Sequence, residues 1–239
     1  MHNSQALTGS VAVVTGGTRG IGRAVAARLL SLGATVVITG RSTASVESGV
    51  SELSGLSGTC DGVACDVMKL DSVEALGRHL RQNYGRVNIL VNNAGIGGPP
   101  SLLHELSPQA WDEIFDTNVR GVFYAMRAIV PLMVAAGGHI INVSSLAGKN
   151  PLPRGAAYAA SKWALNGMSY SAAEELRAHN IRVSVVCPGS VDTDFSPHPG
   201  KDPEKMLRPA DIAHVVAMLV TQRPQSFVSE VLLRPTQKP

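Results

Sequence analysis

Charge and aromatic rings are scarce in this chain. Of its 239 residues, 16% are charged and 4% aromatic, and the net charge is +3. No long basic run exists, so the electrostatic footprint of a nucleic-acid binder is missing; Arg78, Arg81 and Arg86 read as a solvated helix face. Cysteine is rare too: Cys60, Cys65 and Cys187 are an odd number without metal-type spacing. They are expected to be reduced packing residues, not a disulfide framework or a metal site. No apolar run approaches the ~20 residues that a membrane span needs. The opening MHNSQALTGS lacks a basic segment followed by an apolar one, so no signal peptide is expected, and a cytoplasmic location is.

What the chain does have is a 44% share of hydrophobic residues, enough for one large domain with a substantial core. Short β-branched runs alternate with helix-like stretches. The expected strands are 10–15, 34–40, 61–67, RVNILVNNAG, GHIINVSS, IRVSVVCPG and FVSEVLLRP. One long helix is expected over 107–136, with Ser107 as N-cap, Pro108 at its first position and a bend at Pro131. Another should run from YAASK to about 179. VAVV, VVIT, ILVN and VSVV are apolar throughout, as strands covered on both faces are. The fold class implied is α/β: a single-domain Rossmann fold, doubly wound, of about seven parallel strands flanked by helices on both faces. Residues 8–95 would form the cofactor half and 96–235 the catalytic and substrate part. A Pro-, Gly- and Asp-rich stretch, 189–207, reads as a mobile lid.

After the first strand comes TGGTRGIG, running straight into a helix. Gly16, Thr18, Arg19, Gly20, Ile21 and Gly22 form a loop that lets a pyrophosphate approach the backbone at a helix N-terminus; a plain strand-to-helix turn is the other reading. At the end of the second strand, ITGRS puts Gly40 where an NAD enzyme carries a carboxylate for the ribose, followed by Arg41 and Ser42. With Arg19, two guanidinium groups and no acid favour a 2′-phosphate. NADP(H) is therefore preferred over NAD(H), unless both arginines are merely solvated. Asp66 and Val67 end the third strand, where an adenine could lie. Asn92, Ala94 and Gly95 end the fourth and could line the cleft; ordinary turn chemistry explains each equally well.

In YAASK, Tyr158 and Lys162 stand four apart, which puts both on one helix face. These motifs together resemble the short-chain dehydrogenase/reductase family over about residues 8–233: T-G-x-x-x-G-I-G, N-N-A-G, Asn118, the Ser of NVSS, Y-x-x-x-K and P-G stand in the family's order. The resemblance implies a catalytic tetrad of Asn118, Ser145, Tyr158 and Lys162. Tyr158 would protonate a carbonyl oxygen as hydride reaches its carbon, and Ser145 would polarise that carbonyl. Lys162 would hold the nicotinamide ribose and, with the positive nicotinamide of the oxidised cofactor, lower the tyrosine's pKa, and Asn118 would fix a water feeding protons to the lysine. It further implies cofactor contacts at Pro188, Gly189, Val191 and Thr193, no metal, and a homo-oligomer (tetramer or dimer) built on the two long helices. Ala159, Ala160 and Ser161 read as small packing residues.

The nearest broad likeness is to 3-oxoacyl-acyl-carrier-protein reductases and NADP-dependent carbonyl reductases. Ala157 replaces the Asn common before the tyrosine, and FVSEVLLRPTQKP lacks their usual T-G and final Gly-Gly. The partner implied is a small-molecule ketone or alcohol, an acyl thioester among the candidates; small hydroxy-acids, sugars and xenobiotic ketones stay open, as does a catalytically idle NADP sensor. Ile96, Leu146, Leu152, Arg154 and Phe195 are expected in the substrate wall. Arg154 could meet an anion, though a solvated arginine is the plainer reading.

Overall fold

The computed structural model describes residues 5–195 and 200–239. Within them, one parallel sheet is built from β1 (Val11–Val14), β2 (Thr35–Gly40), β3 (Cys60–Ala64), β4 (Ile89–Asn92), β5 (Gly138–Val143), β6 (Ile181–Pro188) and β7 (Glu230–Leu233). The strand order is β3-β2-β1-β4-β5-β6-β7. All pairings are parallel, for example Val13 beside Val37 and Leu90. The reversal of order beside β1 opens the crevice in which such sheets bind ligands, at the carboxyl ends of the strands.

Helices cover both faces, which is why the central strands are apolar without alternation. On one face α1 (Gly20–Ser31) and α7 (Pro209–Val220) pack Leu29, Leu30 and Val216 against Ile38 and Ile141. On the other, α3 (Leu70–Asn83) and the helices after β4 and β5 pack Leu76, Leu80, Ile129 and Leu165 against Leu90 and Ile140. The remaining helix, α2 (Thr43–Leu53), is capped by Ser42, whose hydroxyl accepts the Ser45 N–H at 3.3 Å.

The long helix expected over 107–136 is not continuous. Ser107 caps α4 (Pro108–Phe115) as expected, accepting the Ala110 N–H at 3.2 Å. A π turn, Asp116–Arg120, then inserts before α5 (Gly121–Ile129), and a 3-10 turn, Val130–Leu132, follows. Pro131 has no N–H to continue the ladder, so it closes the helix instead of bending it. After β5, α6 (Ala156–Leu176) carries YAASK. The lid segment is fastened at its base: Val191 bridges Leu207, and Leu207 N–H donates to Ser190 O at 3.0 Å. Ser196–Pro199, inside that segment, lie outside the described residues. No helix among the described residues is long and apolar enough to cross a membrane.

Candidate active site

A cleft of about 1300 Å³ runs along the carboxyl ends of the strands. Its first wall is the glycine loop. Gly16 takes φ +63°, and a Cβ there would lie 3.1 Å from Ala94 Cα, so β1 and β4 approach as closely as only glycine allows. A Cβ on Gly22 would come within 2.2 Å of Gly16 O, so Gly22 packs the helix onto the loop. Gly16, Thr18, Arg19, Gly20 and Ile21 face the cleft and Gly22 does not. A side chain at the end of β2 would have to displace its neighbours: a Cβ on Gly40 would meet Thr18 Cγ2 at 2.7 Å and Ser45 Oγ at 2.9 Å. Arg41 and Ser42 line the cleft beyond it, and Asp66 and Val67 the stretch after β3. Arg19 and Arg41 are exposed, and neither joins an ion pair among the described residues. Cradle, helix N-terminus and guanidinium groups fit a dinucleotide with an extra phosphate.

Asn92 corrects an expectation. Its side chain is buried in the sheet, donating to Asn142 Oδ1 at 2.8 Å, and does not line the cleft. Asn93 faces the loop instead, donating to Thr15 O and Gly16 O at 3.0 Å each, while Ala94 and Gly95 line the cleft beside it.

The tetrad residues converge at the other end. Tyr158 and Ser145 line the cleft, and the serine hydroxyl hydrogen-bonds the phenol. Lys162 is 4% exposed, donates to Val143 O at 3.0 Å, and has its Nζ 5.7 Å from the Tyr158 ring centre. Burial pushes the Tyr158 phenol up to about 12 despite the serine, and pushes the Lys162 ammonium down to about 8. These two side chains by themselves do not lower the tyrosine's pKa, because desolvation of both groups dominates; the expected lowering rests on the lysine together with the cofactor's positive ring. Asn118 lies in the π turn, fully buried. Its Oδ1 accepts the Ile96 N–H at 2.9 Å and its Nδ2 donates to Ile96 O and Ser161 Oγ at 2.9 and 3.0 Å. The carboxamide is therefore a clamp on the loop after β4. Ser161 is more than a packing residue: its hydroxyl donates to Tyr158 O at 2.7 Å and so ties Asn118 to the tyrosine's own turn.

Residues 10–203 match the family described as short chain dehydrogenase. This chain belongs to that family. It is similar to a 3beta-hydroxysteroid dehydrogenase of Mediterraneibacter gnavus, 38% identical over 80% of this chain and 70% of the relative. It is also similar to a 3-oxoacyl-acyl-carrier-protein reductase of Thermotoga maritima, 34% identical over 95% of this chain and 96% of the relative. Among solved structures, a metagenomic short-chain oxidoreductase in complex with NADP is 48% identical with a TM-score of 0.86, covering 97% of this chain and all of the other. An alcohol dehydrogenase from the archaeon Thermococcus sibiricus, complexed with 5-hydroxy-NADP, is 32% identical with the same TM-score, over 96% of this chain and 98% of the other.

In this short-chain dehydrogenase, Pro188, Gly189, Val191 and Thr193 line the cleft where β6 ends, and Thr193 Cγ2 lies 3.5 Å from the Cβ position of Gly20. Ile96, Leu146, Leu152 and Phe195 line it too, with the Phe195 ring 6.1 Å from that of Tyr158. Arg154 does not; it borders a separate recess of about 10 Å³ that also touches Tyr158. The sequence reading missed Asn93, Thr117, Glu113 and Lys201, and the whole segment Arg234–Pro239, which forms one wall. That segment follows a strand's carboxyl end, where such folds bind ligands, and this was the available signal.

Proposed function

We propose that the chain is an NADP(H)-dependent oxidoreductase that reduces a ketone to a secondary alcohol through Asn118, Ser145, Tyr158 and Lys162. The observation that carries it is the convergence of the Tyr158 phenol, bonded by Ser145, with the Lys162 ammonium at one end of a cleft whose other end is a glycine cradle. The bound cofactor supplies hydride. Ser145 donates a hydrogen bond to the substrate oxygen and orients it. Tyr158, held protonated by burial, gives its proton to that oxygen as negative charge develops there. The Lys162 ammonium steadies the resulting phenolate and can pass on a proton, since its own affinity has fallen to about 8. Asn118 and Ser161 hold the turn that aims the tyrosine.

NADP is favoured over NAD by the acid-free position at Gly40 and the two arginines, and by the NADP-bound neighbours. A cytoplasmic location and a homo-oligomer, tetramer or dimer, complete the reading; exposed Phe123 and Trp163 on α5 and α6 support the latter. NADPH and NADH oxidation are to be followed with acetoacetyl thioester, small 3-oxo acids, diketones, keto sugars and 3-oxosteroids. Turnover with NADPH is expected. Arg41→Ala should weaken NADPH binding about tenfold or more and leave NADH unaffected. A native preference for NADH would overturn the cofactor assignment.

A further inference from the structure

The cleft has a second charged end. After β7 the chain turns along its wall, with Arg234 to Pro239 bordering the same space as Tyr158. Pro235 anchors the segment. A Cβ on Gly189 would meet both Pro235 Cδ and Leu146 Cδ1 at 3.1 Å, and Gly189 N–H donates to Leu233 O at 2.9 Å. Arg234 therefore adjoins a residue packed at the same point as the neighbour of Ser145. Lys201 borders the cleft as well, bonded to Ser190 Oγ at 2.7 Å, next to Gly189 on which Pro235 packs.

The charges here are unbalanced. Among the described residues, Arg234 and Lys238 join no ion pair. Nearby acids are committed elsewhere, Asp192 to Arg208 and Glu230 to Lys149, which leaves Asp194 and the terminal carboxylate of Pro239 against three cations. Arg234 stands too far from Arg41 to share the cofactor's extra phosphate. Arg41 follows β2 and Arg234 follows β7, five strand spacings apart in the sheet order, or about 24 Å.

We propose that Arg234, with Lys238 and Lys201, forms an anion subsite that selects ketones carrying a negative group over neutral ones. This rests on the oxidoreductase reading above. Two sources supply the charge: the carboxylate of an oxo acid, or the phosphate of a phosphopantetheine arm. An exposed guanidinium beside the cleft can engage either through charge-assisted hydrogen bonds.

The test is kcat/KM with NADPH for two pairs: acetoacetate against methyl acetoacetate, and acetoacetyl-4′-phosphopantetheine against acetoacetyl-pantetheine. The native enzyme should prefer the anionic member of one pair, and which pair identifies the source. In Arg234→Gln/Lys238→Gln/Lys201→Gln that ratio should fall about tenfold, chiefly through KM. Arg234→Lys should retain most of it, and added salt should erode it in the native enzyme. Equal turnover of both members of both pairs overturns the subsite and leaves the oxidoreductase reading standing. A preference that survives the triple substitution assigns the anion to another cation and overturns it as well. No reduction of any ketone in these pairs or in the wider panel overturns both proposals.

Discussion

At the residue scale, the site works against solvation. Lys162 is buried with its ammonium held at about 8, against an ordinary value of 10.5. Below pH 8 both folded and unfolded chains carry this proton, and the folded state bears the cost of a buried charge. As pH rises from 8 towards 10.5 the unfolded chain holds more protons than the folded one, so the contribution of this group to stability climbs. Lys162→Met should therefore raise the melting temperature at pH 7, lose that advantage by about pH 10, and abolish turnover. Thermal denaturation at the two pH values reads the sign. Tyr158, Lys162 and the acid-free Gly40 position were legible because spacing and residue type alone express them. Asn92 was not: two identical residues stand at the end of β4 and just after it, and nothing in the sequence tells which one faces into the sheet.

At the element scale, the π turn is the unexpected part. Apolar periodicity runs through Pro108–Ile129 without visible interruption, so the sequence reads as one helix. The extra residue in the turn accompanies Asn118, whose carboxamide clamps both polar groups of Ile96 and reaches Ser161. Asn118→Ala would leave those partly buried groups without this partner, at about 1 kcal/mol or somewhat more. A lowered melting temperature and a reduced kcat should appear together, because the same clamp holds the loop after β4 and the turn of Tyr158. A loss of stability with kcat intact would separate the two. The strands, by contrast, were readable to within a few residues, since burial on both faces selects continuous β-branched runs.

For the whole molecule, the sheet sets the distance between the two charged ends and places the tetrad between them. The wall at Arg234–Pro239 escaped the sequence reading because a polar, Pro-rich stretch after a final strand looks like a chain that has left its fold; only packing at Gly189 reveals otherwise. On the outer surface, Trp163 is 55% exposed on α6 and Phe123 48% on α5. Trp163→Glu should shift the protein to a smaller species in sedimentation if that surface joins copies of the chain. The most direct test of the central claim compares the native enzyme with Tyr158→Phe for NADPH oxidation by a ketone substrate, with NADPH affinity measured alongside. Turnover should fall at least about 100-fold with cofactor binding retained. Turnover within a few fold of native would contradict the assignment of Tyr158 as the proton donor.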